Sequence, residues 1–251
     1  MRIVSLCPSL TELVFDLGRG TELVGVTRWC VHPAAAVGEI EKVGGTKDPD
    51  VARIIELAPD LVLLNREENR LEDATALERA AIRCHSSMPR SAGQTAEMVR
   101  SIGAALERQA PAAEIASEIE RRSARVEQRA EGRRSVSFAY LIWRKPWMVA
   151  AGDTLASSLL TQAGGTNVFG ERTERYPVIE ETELAAATPE LVLLGTEPFP
   201  FTARHGAELA GLTGLSADRF RVADGEYLSW HGSRTADGID YAAGLIDAAR
   251  S

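Results

Sequence analysis

Four side chains of types that ligate metal ions follow predicted strand ends in this chain. Cys7 and Cys30 come after the first two apolar strand patterns, and His32 and His231 lie in segments predicted as loops. If two or three of them converged, they could hold one metal ion or give an axial ligand to a chelated one. No HxxxH, HExxH or CxxC spacing supports a preformed site. His32 and His231 are therefore candidate metal ligands, beside the alternative that they are ordinary hydrogen-bonding loop residues.

Aromatic and cationic side chains are concentrated in the predicted loops. These loops contain all four tryptophans, namely Trp29, Trp143, Trp147 and Trp230. An exposed indole in a loop is unfavourable, because it leaves about 150–250 Å² of mostly apolar surface in contact with water. Such rings would form the walls of a slot for a large, flat, partly apolar ligand, or they cap the ends of the cores. Arg66, Arg144 and Arg234 could instead hold carboxylates or a catecholate chelate by paired hydrogen bonds.

Short motifs of common catalytic sites are missing from the sequence. There is no GxSxG elbow, no Walker loop GxxxxGK[ST] and no GxGxxG after a strand. Asp224-Gly225-Glu226 offers two carboxylates at a strand end, but Asp-Gly in such a place is typical of a turn. We predict a binding protein rather than an enzyme. The alternative is a cytoplasmic enzyme that inserts metal into a tetrapyrrole or modifies a tetrapyrrole or corrinoid.

The elements that must position these residues alternate between strand and helix. Strands are predicted at 2–6, 23–26, 61–65, 82–86, 136–143, 191–195 and 220–223, and helices at 8–18, 51–57, 95–108, 153–164 and 236–249. This order predicts an α/β fold with right-handed connections and mainly parallel sheets. Ser9 is predicted to cap the first helix, with Glu12 completing a capping box.

A repeat divides the chain into two similar halves. Pro59-Asp60-Leu61-Val62-Leu63-Leu64 and Pro189-Glu190-Leu191-Val192-Leu193-Leu194 each follow an alanine-rich stretch and predict a buried parallel strand. Between the halves, a charged helix with one apolar stripe is predicted to span roughly 30 Å. We therefore expect an N-terminal α/β lobe at 1–108, a linker helix at 109–132 and a C-terminal α/β lobe at 133–251, with a ligand cleft between the lobes.

Composition excludes several classes of protein. The net charge is −8 and the basic residues are scattered, which argues against a nucleic-acid-binding surface. Three cysteines without CxxC spacing suggest neither a disulfide framework nor a zinc ribbon. No apolar run is long enough for a membrane helix, and the first residues do not resemble an export signal. We expect a cytoplasmic monomer, or an extracytoplasmic one if a leader was trimmed and a methionine added.

Several motifs in a fixed order resemble those of a known family. They are RIVSLCPSLTELVFDLG, VGVTRWCVHP, VGGTKDPDVARIIELAPDLVLL, WMVAAGDTLASSLLTQAGGTNVF, TPELVLLGTEPFPF and DGEYLSWHGSR. The set resembles the substrate-binding proteins of metal-chelate ABC importers, the helical-backbone metal receptors that bind cobalamin, haem or ferric siderophores. The resemblance implies two Rossmann-like lobes joined by one rigid helix, with the ligand between them. It implies no intrinsic cofactor and a corrinoid ligand first, with a ferric siderophore or haem as the alternatives.

Matching motifs also imply the ligand contacts. They are Ser9, Trp29, His32, Lys47, Glu68, Trp147, Tyr176, Phe199, Tyr227, Trp230, His231 and Arg234. The aromatic members are expected to pack flat against a corrin ring.

The sequence departs from the family pattern at one position that would contact the ABC permease, the protein partner that the resemblance implies. Family members present one glutamate on each lobe to the permease. The second-lobe position here is Glu183, but the first-lobe position is Ala52, and Glu56 lies one helical turn further on. We therefore expect a relative that binds the same class of ligand without feeding a permease.

Overall fold

The computed structural model describes all 251 residues and divides them into two compact units. Unit 1 comprises Met1–Pro89, Gln94–Glu118 and His231–Ser233, and unit 2 comprises Arg90–Gly93, Ile119–Trp230 and Arg234–Ser251. This division differs from the boundaries at residues 108 and 132 that we expected from the sequence. The first part of the long central helix belongs to unit 1, and a short segment near the C-terminus returns to unit 1.

Unit 1 is built on a four-stranded, fully parallel sheet. Its strands are β1 (Ile3–Ser5), β2 (Leu23–Val26), β3 (Leu61–Asn65) and β4 (Cys84–Ser87), and their order in the sheet is β2-β1-β3-β4. All five residues of β3 are buried, as expected for a strand covered on both faces. The helices are α1 (Pro8–Asp16), α2 (Ala34–Val37), α3 (Val51–Glu56), α4 (Leu71–Arg79), α5 (Ala92–Ala105) and the first part of α6 (Gln109–Ala130).

Unit 2 carries a mixed six-stranded sheet. Its strands are β5 (Val136–Trp143), β6 (Trp147–Val149), β7 (Gly165–Asn167), β8 (Val178–Ile179), β9 (Leu191–Gly195) and β10 (Phe220–Ala223). The order is β10-β9-β5-β6-β8, with β7 also paired to β5. The pairings of β6 with β5 and with β8 are antiparallel, and the others are parallel. The helices are the rest of α6, α7 (Leu155–Gln162), α8 (Glu181–Ala187), α9 (Ala203–Thr213), α10 (Gly225–Ser229) and α11 (Thr235–Arg250).

The repeated Pro-acid pair has the same role in both units. In unit 1, a carboxylate oxygen of Asp60 accepts a 2.6 Å hydrogen bond from the backbone N–H of Arg2, at the start of β1. In unit 2, Glu190 accepts one of 2.9 Å from the backbone N–H of Ser137 in β5. Each acid therefore ties its own strand to the neighbouring first strand, which explains why the pair precedes the apolar run in both halves.

The long helix α6 has 22 residues, which corresponds to about 33 Å. A ladder of ion pairs connects its second part to α11 within unit 2. Arg122 and Arg125 both reach Asp240, at 3.1 and 2.6 Å, and Arg129 and Arg133 both reach Asp247, at 2.8 and 2.6 Å. Three of these arginines lie on α6, and Arg133 follows shortly after its end.

Several local predictions were wrong. Helix α1 begins with Pro8 in its first turn, and its N-cap is Cys7 without a side-chain hydrogen bond, so Ser9 does not cap it. Trp147 lies in β6 and Trp143 ends β5, so only two of the four tryptophans lie in loops. Asp224-Gly225-Glu226 is not an isolated turn, because Asp224 is the N-cap of α10. The helices α2, α4, α9 and α10 and the strands β6, β7 and β8 were not predicted.

No helix in the structure combines the length and the apolar character that are needed to cross a bilayer.

Candidate functional site

Buried polar side chains collect beyond the carboxyl ends of β1 and β2 in unit 1. The hydroxyl oxygen of Thr11 lies 2.8 Å from Ser5 Oγ and 3.0 Å from Cys30 Sγ, and Thr27 Oγ1 lies 3.1 Å from the same sulfur. Ser9 Oγ lies 3.3 Å from the sulfur of Cys7. This is the edge of a parallel sheet at which ligand sites form.

His231 completes this polar cluster from a distant part of the chain. Its Nε2 lies 3.0 Å from Asn65 Nδ2 and 3.3 Å from Ser9 Oγ, and the residue is buried. An amide nitrogen can only donate, so Nε2 acts as the acceptor and the ring proton lies on Nδ1. Ser9 and His231, two of the predicted ligand contacts, therefore lie in direct contact, and Asn65 was not among the predicted contacts.

The two thiols of this cluster are buried, and burial keeps them protonated. Burial raises the pKa of Cys7 to about 12, and it also raises the pKa of Cys30. Both sulfurs are therefore protonated at neutral pH in the metal-free protein, and a metal ion would have to displace their protons to bind them. The structure contains no group of three His, Cys, Asp or Glu side chains arranged to hold a metal ion. Direct coordination by His32 or His231 to a chelated metal stays a prediction.

Lys47 and Glu68 lie next to each other in unit 1. The ammonium of Lys47 donates to the backbone carbonyl of Glu67 at 2.6 Å. Burial raises the pKa of Glu68, although nearby Lys47 and a hydrogen bond with Thr46 act in the opposite direction. A protonated Glu68 could donate a hydrogen bond to a carbonyl oxygen of a ligand.

Trp29 is the most exposed of the tryptophans, with 56% of its surface accessible. The guanidinium carbon of Arg28 lies 5.5 Å from the centre of its ring, and Arg28 is itself bound to both carboxylate oxygens of Asp48 at 2.8 and 2.9 Å. His32, three residues further on, is half-buried. An open indole that is held by a neighbouring cation is suited to stack against a flat ligand.

Two other tryptophans are almost fully covered within unit 2. Trp147 is 8% exposed, and its indole N–H donates to Glu181 at 2.7 Å. Trp230 is 7% exposed and donates to Glu197 at 2.8 Å. These carboxylates satisfy the polar end of each ring. Much of the aromatic surface that the sequence places at the ligand site is therefore used in packing.

An aromatic cluster lies beyond the ends of β5 and β9. The rings of Trp143 and Phe199 meet edge to face at 5.9 Å, and Phe199 and Phe201 do so at 4.8 Å. Phe201 also stacks against Trp147, with 6.3 Å between the ring centres. The predicted contacts Phe199 and Trp147 therefore belong to one cluster, through Phe201.

Tyr227, Trp230 and Arg234 form a second group beyond β10. The guanidinium carbon of Arg234 lies 5.6 Å from the ring of Tyr227 and 5.1 Å from that of Trp230. Its nitrogen pairs with Glu226 at 3.1 Å. The three predicted contacts are thus brought together. The ring of the predicted contact Tyr176 lies 5.7 Å from the guanidinium carbon of Arg175.

The residues at the predicted docking positions lie at the surface of their units. Two of them, Glu56 and Glu183, form ion pairs or hydrogen bonds with neighbouring residues. Ala52 is exposed on α3, and Glu56 pairs with Arg53 at 2.7 Å. Glu183 accepts a 2.9 Å hydrogen bond from the backbone N–H of Glu180 in a capping box and also pairs with Arg172.

Glu197, Glu208 and Asn65 were not predicted as site residues, and Glu226 was considered only as one of two carboxylates at a strand end. Asn65 ends a buried strand, which is a signal that could have identified it. The carboxylates have no comparable signal, because nothing in the local sequence says which cation or indole each will meet.

A family model described as "Periplasmic binding protein" matches residues 3–212. The chain belongs to the periplasmic binding protein family. Family membership agrees with the prediction of a binding protein rather than an enzyme.

Several relatives and solved structures similar to this chain are named for the ligand that they bind. A "Vitamin B12-binding protein" of Vibrio campbellii is 26% identical over 211 residues, which are 84% of this chain and 74% of the relative. Among solved structures, the periplasmic vitamin B12 binding protein BtuF of Vibrio cholerae superposes with a TM-score of 0.86 at 20% identity, over 100% of this chain and 98% of that one. The periplasmic haem-binding protein RhuT of Roseiflexus sp. RS-1 gives 0.85 at 22% identity, over 99% and 98%.

These likenesses confirm the predicted fold class of a two-lobed α/β binding protein. The names of the two solved structures place those proteins in the periplasm, and the location of this chain stays a prediction.

Proposed function

We propose that this periplasmic binding protein family member binds a cobalt corrinoid of the vitamin B12 type as cargo and does not change it chemically. The name of the Vibrio campbellii relative supports a corrinoid, and the exposed indole of Trp29 supports a flat ligand.

The observation that supports a corrinoid over an anionic ligand is that three arginines already form ion pairs with carboxylates of the protein. Arg144 donates to Glu208 at 2.6 Å, and Arg234 pairs with Glu226 at 3.1 Å. Arg28 beside Trp29 is held by Asp48. A corrin ring carries neutral carboxamides, whereas haem carries propionates and catecholate siderophores carry negative oxygens. An anionic ligand would compete with the carboxylate of an existing ion pair, so the paired arginines favour an amide-bearing ligand.

One observation favours a second candidate, an anionic chelate such as haem or a ferric siderophore. Arg66 is exposed and forms no ion pair, and it follows β3 directly. Together with nearby Lys47, it offers a place for a carboxylate or catecholate oxygen. The two candidates therefore predict opposite effects of removing Arg66.

The test is a titration of the full chain with cobalamin, cobinamide, haemin and ferric siderophores of the hydroxamate and catecholate types. Tryptophan fluorescence and equilibrium dialysis report binding. We expect cobalamin or cobinamide to bind with a micromolar or lower dissociation constant. Arg66→Gln should leave that affinity unchanged. Binding of haemin or a siderophore alone, lost in Arg66→Gln, would establish the second candidate. Binding of none of these ligands would refute both.

Trp29→Ala is the informative site variant because the ring is exposed, so its loss should not disturb the core. We expect it to weaken corrinoid binding by about tenfold or more. Leu71→Ala is the matched control, since Leu71 is a large exposed side chain of unit 1 that is 77% accessible. Trp147→Ala and Trp230→Ala are less clean, because both indoles are buried and both donate to carboxylates.

We also propose that the chain does not deliver its ligand to a permease. The support is Ala52 on α3, where the resemblance expects a glutamate, and the local engagement of Glu183. A pull-down with the full chain as bait checks this proposal, and recovery of a membrane permease would contradict it.

A further inference from the structure

Trp29 lies at the tip of a tight turn in unit 1. The backbone N–H of Cys30 donates to the carbonyl of Thr27 at 3.1 Å, so Arg28 and Trp29 are the two central residues of that turn. Thr27 and Cys30 are buried, whereas the indole of Trp29 is largely exposed. The backbone of the turn is therefore anchored on both sides, and the remaining freedom is the rotation of the indole side chain.

The guanidinium of Arg28 restricts this rotation. Its carbon lies over the ring of Trp29, 5.5 Å from the ring centre, and covers one face of the indole. A surface arginine has many rotamers, so it can hold a ring only if it is itself held. Asp48 does this, because one terminal nitrogen of Arg28 donates to both of its carboxylate oxygens, at 2.8 and 2.9 Å. Asp48 therefore acts on Trp29 through Arg28.

Asp48 belongs to a second turn that the backbone fastens to the first. The backbone N–H of Arg28 donates to the carbonyl of Gly44 at 2.8 Å, and that of Gly45 donates to the carbonyl of Asp48 at 3.3 Å. A Cβ atom at position 45 would lie 2.3 Å from Oδ1 of Asp48 and 2.7 Å from a terminal nitrogen of Arg28. Only glycine at this position leaves room for the ion pair, which is a steric requirement independent of charge.

We propose that Asp48 and Gly45 are positioning residues for the ligand-binding face of Trp29, an inference that rests on the proposed function. Arg28 covers one face of the indole, so the flat ligand stacks on the other. Because the ring is already held in the free protein, binding does not have to order it, and this preorganisation increases affinity. Loss of Asp48 or Gly45 should therefore weaken corrinoid binding, although neither residue is a predicted ligand contact.

The first test uses the full chain without ligand. Labelling with 5-fluorotryptophan gives one fluorine NMR resonance for each of the four tryptophans, and Trp29→Phe identifies the resonance of Trp29. We expect this resonance to change in shift or linewidth in Asp48→Asn and in Gly45→Ala, because the indole leaves its fixed position, while the other three stay the same. An unchanged Trp29 resonance in both variants would overturn the proposal.

Glu41→Gln is the matched control for this test. Glu41 binds Arg53 through both carboxylate oxygens in another exposed ion pair of unit 1, so the substitution removes the same kind of contact. We expect it to leave the Trp29 resonance unchanged. An equal response of that resonance to Glu41→Gln and to Asp48→Asn would show a general effect of surface charge and would also overturn the proposal.

The second test is a double-mutant cycle on corrinoid affinity, measured by equilibrium dialysis. We expect Asp48→Asn to weaken cobalamin or cobinamide binding by about threefold, which corresponds to an exposed cation–π contact, and Glu41→Gln to leave the affinity unchanged. In the Trp29→Ala background, Asp48→Asn should have no further effect, because it acts through the indole. An equal loss of affinity in both backgrounds would show that Asp48 acts by another route, against the proposal.

The two tests also separate this inference from the proposed function. If the unmodified chain binds neither corrinoid but the Trp29 resonance responds to Asp48→Asn, the proposed cargo is wrong and the positioning of Trp29 by Asp48 stands. If corrinoids bind and neither test shows coupling between Asp48 and Trp29, the proposed cargo stands and this inference is wrong.

Discussion

Asn65 and His231 are 166 positions apart in the sequence, yet Asn65 Nδ2 donates a hydrogen bond of 3.0 Å to His231 Nε2. Both residues are buried, and Ser9 Oγ lies within 3.3 Å of the same ring nitrogen. A single acceptor atom therefore serves two polar groups that have little access to water.

Replacing this acceptor should destabilise the protein. In His231→Phe the ring is kept but the amide of Asn65 loses its partner, so we expect the free energy of unfolding to fall by about 1–3 kcal/mol. Urea denaturation followed by circular dichroism measures this. His231→Gln retains an acceptor oxygen and should lose less, and equal stability of His231→Phe and the unmodified chain would contradict this account.

Tyr140→Phe should have the opposite effect. Tyr140 is 1% exposed in the core of unit 2, and its hydroxyl has no hydrogen-bond partner. Removing an unsatisfied buried hydroxyl removes its desolvation cost, so we expect the free energy of unfolding to rise by about 1 kcal/mol. Thermal and urea denaturation measure the change. A loss of stability would show that an ordered water molecule satisfies the hydroxyl. Tyr241→Phe is the control, because its hydroxyl accepts a bond from the backbone of Asp224.

The predicted bounds of β2, β3, β5, β9 and β10 are the observed ones, and those of β1 differ by one residue at each end. These strands are short apolar runs between turn residues, so local composition is enough to locate them. The antiparallel β6 and β8 have three and two residues and are defined only by their neighbours in the sheet.

The site was predictable only in part, for a related reason. Ser9, Lys47 and Arg234 carry chemical groups that can be recognised from residue type. The contacts of Asn65 with His231 and of Glu226 with Arg234 depend on which strand ends meet in space. Burial of Trp147 and Trp230 likewise could not be foreseen, because the carboxylates that accept their indole protons come from other segments of the chain.

Glu68 should make stability depend on pH. Its pKa is raised above the ordinary value of 4.5 by burial, so the folded state holds the proton more tightly than the unfolded chain does. Stability is then lost as pH rises from about 4.5 through the folded-state pKa. Glu68→Gln removes this loss, so we expect it to raise the melting temperature at pH 7 and to have little effect at pH 4. Glu171→Gln, an exposed residue, is the control. A variant less stable than the unmodified chain at pH 7 would contradict the prediction.

Glu183 should behave in the opposite way. The backbone N–H of Glu180, and then Arg172, hold its pKa below the ordinary value of 4.5. Its contribution to stability is therefore present above pH 4.5 and is lost as pH falls through the lowered pKa. We expect Glu183→Ala to lower the melting temperature at pH 7, and Glu183→Gln to lower it less because the amide oxygen can still accept from Glu180. Unchanged melting of Glu183→Ala would show that the capping box has no role in stability.

The return of His231–Ser233 to unit 1 has a consequence for biosynthesis. During translation the four strands of unit 1 emerge early, but the imidazole that accepts from Asn65 is added only when most of the chain has been made. Until then, the side-chain amide of Asn65 hydrogen-bonds to water or to another group. A ribosome-stalled nascent chain that ends before residue 231 should therefore be digested by protease more readily than one that extends beyond residue 233 and has left the exit tunnel.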